Sequence, residues 1–325
     1  MPERIVYAEH GKPSEVLKHE SFDLPELREG EVMIELCFAN INPSDMGMIG
    51  GSYGTLPELP AIPGREGVGR ISSVHASVKH VKPGDLVRIP AASGAWQSHI
   101  VADASELWVL PEGIDAQQAA MLFVNPPTAL MLLEQFVDLQ PGDWIIQNAA
   151  NSQVGLWVIQ LAKARGLHTL NVVRREGLEE ELKNLGADHV IVDGPDYPKS
   201  IRALTGGAKP RLALNSVGGE SVIQMIKTLA DGGVCVTFGG MVGDPVRFPT
   251  RFLIFNDIQL RGFWMDKWMR THQEQEIRAL YERVFDAVLH SGITTPVEAV
   301  YSLCDVQSAL LAFQKPRLGK ILLQP

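Results

Sequence analysis

The sequence predicts an α/β protein in which a β-rich domain precedes a doubly wound parallel sheet. Three observations lead there. At 325 residues the chain exceeds the length at which one hydrophobic core stops growing, so two domains are expected. Up to about residue 120, short strand-like runs stand between Gly and Pro punctuation. From Asn125 onward strand-like and helix-like runs alternate, which is the pattern of right-handed βαβ units with helices on both faces of a parallel sheet.

In the first part the strands are VMIELCFANI (Val32 to Ile41), GVGRISSV (Gly67 to Val74) and DLVRIP (Asp85 to Pro90), separated by turns such as KPGD and LPEG. In the second part WII (Trp144 to Ile146) leads to a helix from Val154. HTLNVV (His168 to Val173) leads to GLEEELKNLG, and HVIV (His189 to Val192) to a helix near Lys199 to Leu204. RLALNS (Arg211 to Ser216) leads to a helix over Glu220 to Gly233, followed by VCVTF (Val234 to Phe238). An amphipathic helix from about Glu274 to His290 and a last strand, KILLQ (Lys320 to Gln324), return the chain to the first domain. The expected domains are 1–120, completed by about 290–325, and 121–289.

Composition removes several functions. A net charge of −9 argues against nucleic acid, whose binding needs clustered Lys and Arg to displace counterions. Three scattered cysteines, Cys37, Cys235 and Cys304, form no disulfide framework or metal-ligand spacing. The first 20 residues hold no apolar h-region, and no segment has the ~20 apolar residues that span a bilayer, so a soluble, cytoplasmic protein is expected.

The chemistry concentrates in two stretches. The first is NAANSQVG (Asn148 to Gly155), at a strand-to-helix turn whose free N–H groups and helix dipole favour an anion. In the G-x-G-x-x-G register the glycine slots fall on Ala150, Ser152 and Gly155; a plain βα turn also fits the loop alone. Nineteen residues past Gly155, where an acidic residue would take an NAD ribose, stand Arg174 and Arg175 followed by Glu176. Two guanidinium groups suit a 2′-phosphate and point to NADP(H); the alternative is a solvated basic pair opposite Glu179 and Glu180. TFGGM (Thr237 to Met241) ends another strand with paired glycines, where a flat ligand can approach the backbone.

The second stretch, Asn40 to Gly69, is rich in Gly and Pro and holds one tyrosine, Tyr53. A phenol with an ordinary pKa near 10 is neutral at pH 7 and can donate a proton if well placed; packing or surface roles fit a loop tyrosine as well.

With NPSD (Asn42 to Asp45), VNPPTA (Val124 to Ala129) and QPGDWIIQNAANSQVG in this order, the chain resembles the medium-chain dehydrogenase/reductase superfamily. That resemblance implies a GroES-like β-rich domain and a Rossmann-type nucleotide-binding domain. Where zinc members of the superfamily place Cys and His ligands, FANINPSD and PGREGVG offer Asn, Arg and Glu, so a zinc-free protein is expected. Within the superfamily the sequence is similar to the mitochondrial-type trans-2-enoyl thioester reductases. GGSYGTLPELPAIPGREG, QNAANSQVG with VVRRE, LALNSVGGES, and TFGGM with LIFNDIQLRGFWMDKW carry the similarity. Quinone reductases of the superfamily usually have more glycine in the 150–155 loop.

The resemblance implies Tyr53 as proton donor. It implies NADPH contacts at Asn125, Asn151, Ser152, Gln153, Val154, Gly155, Arg174, Arg175, Glu176, Phe238, Gly239, Gly240, Met241, Phe263, Trp264, Asp266 and Lys320. Phe263 and Trp264 would also wall the nicotinamide and acyl pocket, although core packing explains a Phe-Trp pair equally well; Phe238 stands where a tyrosine is common. The implied reaction is NADPH-dependent reduction of the C=C bond of an enoyl thioester carried on CoA or acyl carrier protein, in a homodimer. An NADPH:quinone or enone reductase, and a non-catalytic NADPH-binding protein, are the alternatives.

Overall fold

The computed structural model describes residues 1–325 apart from Val242, Asp244, Pro245 and Arg247. The chain forms two compact units, Met1–Val124 with Phe285–Pro325, and Asn125–Val284. It thus leaves the first unit at Val124 and returns inside a helix rather than after one.

The first unit begins with β1 (Glu3–Val6), α1 (Pro13–Val16), β2 (Lys18–Ser21), β3 (Glu31–Asn40), α2 (Pro43–Ile49), β4 (Gly67–Val74), β5 (Leu86–Arg88), β6 (His99–Asp103) and α3 (Ala116–Ala119). The second contains α4 (Asn125–Glu134), β7 (Trp144–Gln147), α5 (Gln153–Ala164), β8 (His168–Val173), α6 (Glu179–Asn184), β9 (His189–Val192), α7 (Tyr197–Leu204), β10 (Leu212–Asn215), α8 (Gly219–Ile226), β11 (Val234–Thr237), α9 (Arg251–Asn256), β12 (Gln259–Gly262) and α10 (Met265–Thr271). Helix α11 (Glu274–Leu289) leads back, and β13 (Val297–Ser302), α12 (Val306–Gln314) and β14 (Lys320–Gln324) complete the first unit.

In the first unit the strands run in the order β13-β14-β3-β4-β5, with β6 also paired to β3. Strand β3 is its axis: Val32, Ile34 and Leu36 alternate into a core with Ile71, Val87, Ile89, Trp96 and Ile100, all 5% exposed or less. Strand β14 enters antiparallel to β3 through Leu322↔Asn40 and Leu323↔Ala39, which delivers Lys320 to the segment just after β3.

In the second unit all six strands are parallel, in the order β12-β11-β10-β7-β8-β9. The chain runs outward from β7 to β9, then restarts at β10 on the other side of β7. This reversal makes the β7/β10 boundary the topological switch point, the place where open α/β sheets leave a crevice beyond their strand ends. Central strands bury both faces and so read as continuous apolar runs; Ile145, Ile146, Leu170, Leu212, Ala213 and Leu214 are fully buried. Helix α8 is shorter than the expected Glu220 to Gly233. It stops at Ile226, where the Thr228 hydroxyl donates to the Met225 carbonyl at 2.6 Å and the chain turns through Gly232. No helix among the described residues is long and apolar enough to cross a membrane.

Candidate active site

The turn between β7 and α5 is built tightly. Ser152 is the N-cap of α5, its hydroxyl accepting from the Gly155 N–H at 3.2 Å. A Cβ at Gly155 would stand 2.4 Å from the Ala150 carbonyl oxygen, so this slot excludes any side chain. Ala150 is fully buried, and the left-handed step falls on Ala149, with φ 46°, where a side chain is tolerated at some cost. The tight turn is thus carried one residue before the slot read from the sequence.

Asn148, just past the end of β7, is held across the switch point. Its side-chain N–H donates to Asn215 Oδ1 at 2.8 Å, and its Oδ1 accepts from the Ser216 N–H at 2.8 Å. Asn215 Oδ1 also takes the Gly218 N–H at 3.0 Å, which fixes the turn into α8. One strand over, Gln147 donates to Asn171 Oδ1 at 2.8 Å and to the Gly155 carbonyl at 3.0 Å. These amides, 2% exposed or less, form a satisfied row across β10, β7 and β8 that locks the crevice floor. Sequence reading passed over Asn148, Gln147, Asn171, Asn215 and Ser216. The signal was present: an amide at or near the carboxyl end of each of three otherwise apolar strands, WIIQN, LNVV and LALN.

Several of the expected cofactor residues of this unit are bonded to one another or to that floor. Asn125, at the start of α4, donates to Gln153 Oε1 at 2.8 Å, tying two stretches 28 residues apart. Gln153 and Val154 are buried at 6% and 7%, while Asn151 and Ser152 are half-buried. Past β11, the Phe238 N–H donates to the Asn215 carbonyl at 2.9 Å and that of Met241 to the Ser216 carbonyl at 3.1 Å, so TFGGM folds over the end of β10. A Cβ at Gly239 would come within 3.0 Å of the Ser216 carbonyl oxygen, whereas Gly240 faces open space. Arg174, Arg175 and Glu176 are exposed just past β8. Glu179, considered as a partner for the arginines, pairs with Lys183 at 2.6 Å, which holds its carboxyl below the usual range.

Phe263 and Trp264 follow β12, which is exposed throughout rather than an apolar core strand. The Phe263 N–H donates to the Thr237 carbonyl at 3.0 Å, and its ring meets Phe136 edge-on at 5.9 Å. The Arg270 guanidinium lies 4.8 Å from the Trp264 ring centre, and Asp266 is half-buried at the start of α10.

A dinucleotide fits this unit. A tight turn closed to any Cβ that leads into a helix N-terminus, exposed guanidinium groups at the end of the next strand, and the buried Ser216 hydroxyl, which has no hydrogen-bond partner among the described residues, suit a pyrophosphate and a phosphorylated ribose.

In the first unit a buried polar cluster stands behind Tyr53. Asn42 N-caps α2 in a capping box with Asp45, Pro43 occupying the first turn. Asp45 is 1% exposed; its Oδ2 accepts from the Asn42 N–H at 2.7 Å and its Oδ1 from the Arg65 N–H at 3.1 Å. Burial outweighs those hydrogen bonds and pushes its carboxyl up to about 6. Glu66, 1% exposed, accepts four N–H bonds of 2.6–3.0 Å, from Phe123, Val124, Asn40 and Asn42. Lys320, 6% exposed, donates to the Ile41 carbonyl and to Asn42 Oδ1, both at 2.8 Å. Burial pulls its ammonium down to about 8, against the attraction of Glu66 and Asp45. Removing one partner from such a network strands a buried charge, at a cost of roughly 3–5 kcal/mol.

Tyr53 itself is half-buried. Its N–H donates to the Gly47 carbonyl at 3.2 Å, and a Cβ at Gly47 would touch its ring at 3.4 Å. The loop expected here is therefore in part a helix: α2 turns the chain so that Tyr53 stands on Gly47.

A family model described as alcohol dehydrogenase GroES-like domain matches residues 28–112, and one described as zinc-binding dehydrogenase matches 154–286. The chain is 43% identical to the human mitochondrial enoyl-[acyl-carrier-protein] reductase over 319 residues, 96% of this chain and 85% of the relative. The structure of an Etr1p/NADP/crotonyl-CoA complex superposes with a TM-score of 0.90 at 26% identity, covering 100% of this chain and 99% of the other; Etr1p also occurs as an Etr1p/Etr2p heterodimer from Candida tropicalis. A putative NADPH:quinone reductase from Bacillus thuringiensis gives 0.89 at 28% identity, with 100% and 99% coverage.

One expectation is overturned by these relatives. The cytoplasmic location does not stand, because the human, rat and Dictyostelium discoideum proteins are mitochondrial by name. Scattered free cysteines do not by themselves choose a compartment.

A zinc ion, which one family description implies, does not fit the residues present. All four oxygens of Asp45 and Glu66 are engaged by N–H donors, and the Lys320 ammonium already supplies the cation beside them. Among the described residues no three His, Cys, Asp or Glu are placed to hold a metal.

Proposed function

We propose, for a chain that belongs to the family of the mitochondrial enoyl-[acyl-carrier-protein] reductases, the NADPH-dependent reduction of the C=C bond of a trans-2-enoyl thioester to the saturated acyl thioester. The observation that carries this reading is the kinship: 43% identity over 96% of the chain to an enoyl reductase. The Etr1p complex with NADP and crotonyl-CoA supports both the cofactor and the substrate class.

When bound, NADPH supplies a hydride. This chain's own residues do the rest. Asn151 to Gly155 and the paired glycines Gly239 and Gly240 hold the pyrophosphate and let the backbone approach it, while Arg174 and Arg175, with Glu176 beside them, take the 2′-phosphate. Asn125, Phe238, Met241, Phe263, Trp264 and Asp266 complete the cofactor wall. Lys320, anchored by its bonds to the Ile41 carbonyl and Asn42 Oδ1, contributes a cation to the cofactor contacts. The thioester carbonyl polarises the double bond, so the β carbon accepts the hydride and the π electrons move toward the thioester oxygen. The α carbon then takes the proton of Tyr53; its C–H bond forms as the phenol O–H bond breaks, and water returns a proton to the phenolate. Orienting two reactants accounts for most of the gain such a site offers.

The test is steady-state NADPH oxidation with enoyl-CoA substrates of increasing length, an enoyl-acyl carrier protein, and benzoquinones alongside. Turnover of the thioesters at a kcat/KM far above that of the quinones is expected; a preference for quinones would transfer the chain to the alternative reading.

We also place a second copy of the chain against the edge of the nucleotide-binding sheet. Strand β12 is exposed along its length, its Leu260 at 48%, and Leu253, Ile254 and Phe255 of the preceding α9 are 41%, 70% and 79% exposed. Apolar groups so exposed on an open sheet edge are normally covered. A homodimer by sedimentation that becomes a monomer in the Ile254→Asp/Phe255→Asp variant is expected; a wild-type monomer at micromolar concentration would remove this element.

A further inference from the structure

Arg65 lies between two residues with no freedom. Gly64 before it has φ 95° and no room for a side chain, since a Cβ would lie 2.2 Å from Trp96 Cδ1. Glu66 after it is held by four N–H donors. The Arg65 N–H is itself bound to Asp45 Oδ1 at 3.1 Å. With its backbone fixed on three counts, Arg65 directs its guanidinium over the Tyr53 ring, Cζ lying 5.5 Å from the ring centre. The ring rests on Gly47 of α2, the same helix that Asp45 caps. One carboxylate thereby sets both the platform under the tyrosine and the cation over it.

A guanidinium stays charged throughout the working pH range. Over a neutral phenol it contributes a cation–π attraction; once the proton has left, the same cation faces an anion, and the attraction grows. An interaction stronger after proton transfer than before it lowers the barrier to that transfer. We infer that Arg65 is a positioning residue for Tyr53, holding the ring on α2 and stabilising the phenolate left when the proton passes to the substrate. This rests on Tyr53 being the proton donor.

Other charged groups near the loop are distinguishable. Asp45 titrates near 6, well below a phenol. His10 lies against Gly51, at 3.0 Å from where its Cβ would stand, and Glu58 is exposed further along the loop. Lys320 titrates near 8, inside the range of an alkaline activity limb, so activity alone would mix it with Tyr53. Phenolate ultraviolet absorbance separates them, because lysine does not contribute. With five tyrosines in the chain, subtracting the titration of Tyr53→Phe isolates Tyr53.

The experiment titrates phenolate absorbance and kcat for crotonyl-CoA reduction in wild type, Tyr53→Phe, Arg65→Gln and Arg65→Lys. In Arg65→Gln the Tyr53 ionisation is expected about one pH unit higher, the effect of a unit charge at 5.5 Å in a half-exposed setting. A kcat roughly tenfold lower with unchanged KM for NADPH is expected too, and Arg65→Lys recovers most of both. A Tyr53 ionisation that does not move in Arg65→Gln overturns the role of Arg65 whatever the activity does. Full activity in Tyr53→Phe instead overturns the donor assignment, and the absorbance shift shows separately whether the Arg65 contact exists. If Arg65→Gln does not fold, Arg65→Met takes its place as the neutral variant: a Tyr53 ionisation raised by about one pH unit supports the role, and an unmoved one overturns it.

Discussion

At the scale of single residues, the least expected feature is how much charge the first unit buries behind one tyrosine. Asp45, Glu66 and Lys320 are each 6% exposed or less, and their ionisation bears on stability as well as on the site. Asp45 is raised from 3.8 to about 6, chiefly by desolvation. Between those values the folded protein holds a proton that the unfolded chain has released. Its contribution to stability is therefore full below about 3.8 and is lost as pH rises through about 6. The stability of wild type relative to Asp45→Asn, from thermal or denaturant unfolding, should fall by roughly 1–3 kcal/mol over that window and stay flat above it. A difference that is constant, or that rises with pH, would contradict the burial of Asp45 as the cause. None of this could be read from the sequence. Lys320 meets Asn42 across 278 residues, and only the β14–β3 pairing brings them together.

At the scale of elements, the strand-to-helix turns position the cofactor half. The β7–α5 turn was legible because its demands are local: a small residue at Ala150, a cap at Ser152, and Gly155 where a side chain would strike the backbone. The amide row beneath it was not, since Gln147, Asn148, Asn171 and Asn215 take meaning only when β7, β8 and β10 lie side by side. Helix α2 lies in a Gly- and Pro-rich stretch that suits a loop, although Asn42, Pro43 and Asp45 form a helix-start signature. The end of β8 yields a prediction of its own. Arg174→Ala and Arg175→Ala should each raise KM for NADPH tenfold or more, the worth of a charge-assisted hydrogen bond, while leaving KM for NADH nearly unchanged. Equal effects on the two cofactors would return the pair to the status of solvated surface charges.

At the scale of the whole molecule, the order of strands decides where chemistry can occur. A sheet that runs out from β7 and restarts at β10 leaves a crevice, and the expected residues at 148–155, 174–176 and 238–241 all come from strand ends on that side. The alternation of runs after Asn125 announced this architecture, because parallel strands need helical crossovers and buried strands need apolar residues on both faces. Compartment has no counterpart in packing, and the pattern of strands and helices carries no signal for it. Reduction of enoyl thioesters with NADPH is tested by following NADPH oxidation by the purified chain with crotonyl-CoA, the product identified by mass. Stoichiometric conversion to butyryl-CoA, with benzoquinones turned over far more slowly, is the predicted result. No saturated thioester formed, beside rapid quinone reduction, would contradict it.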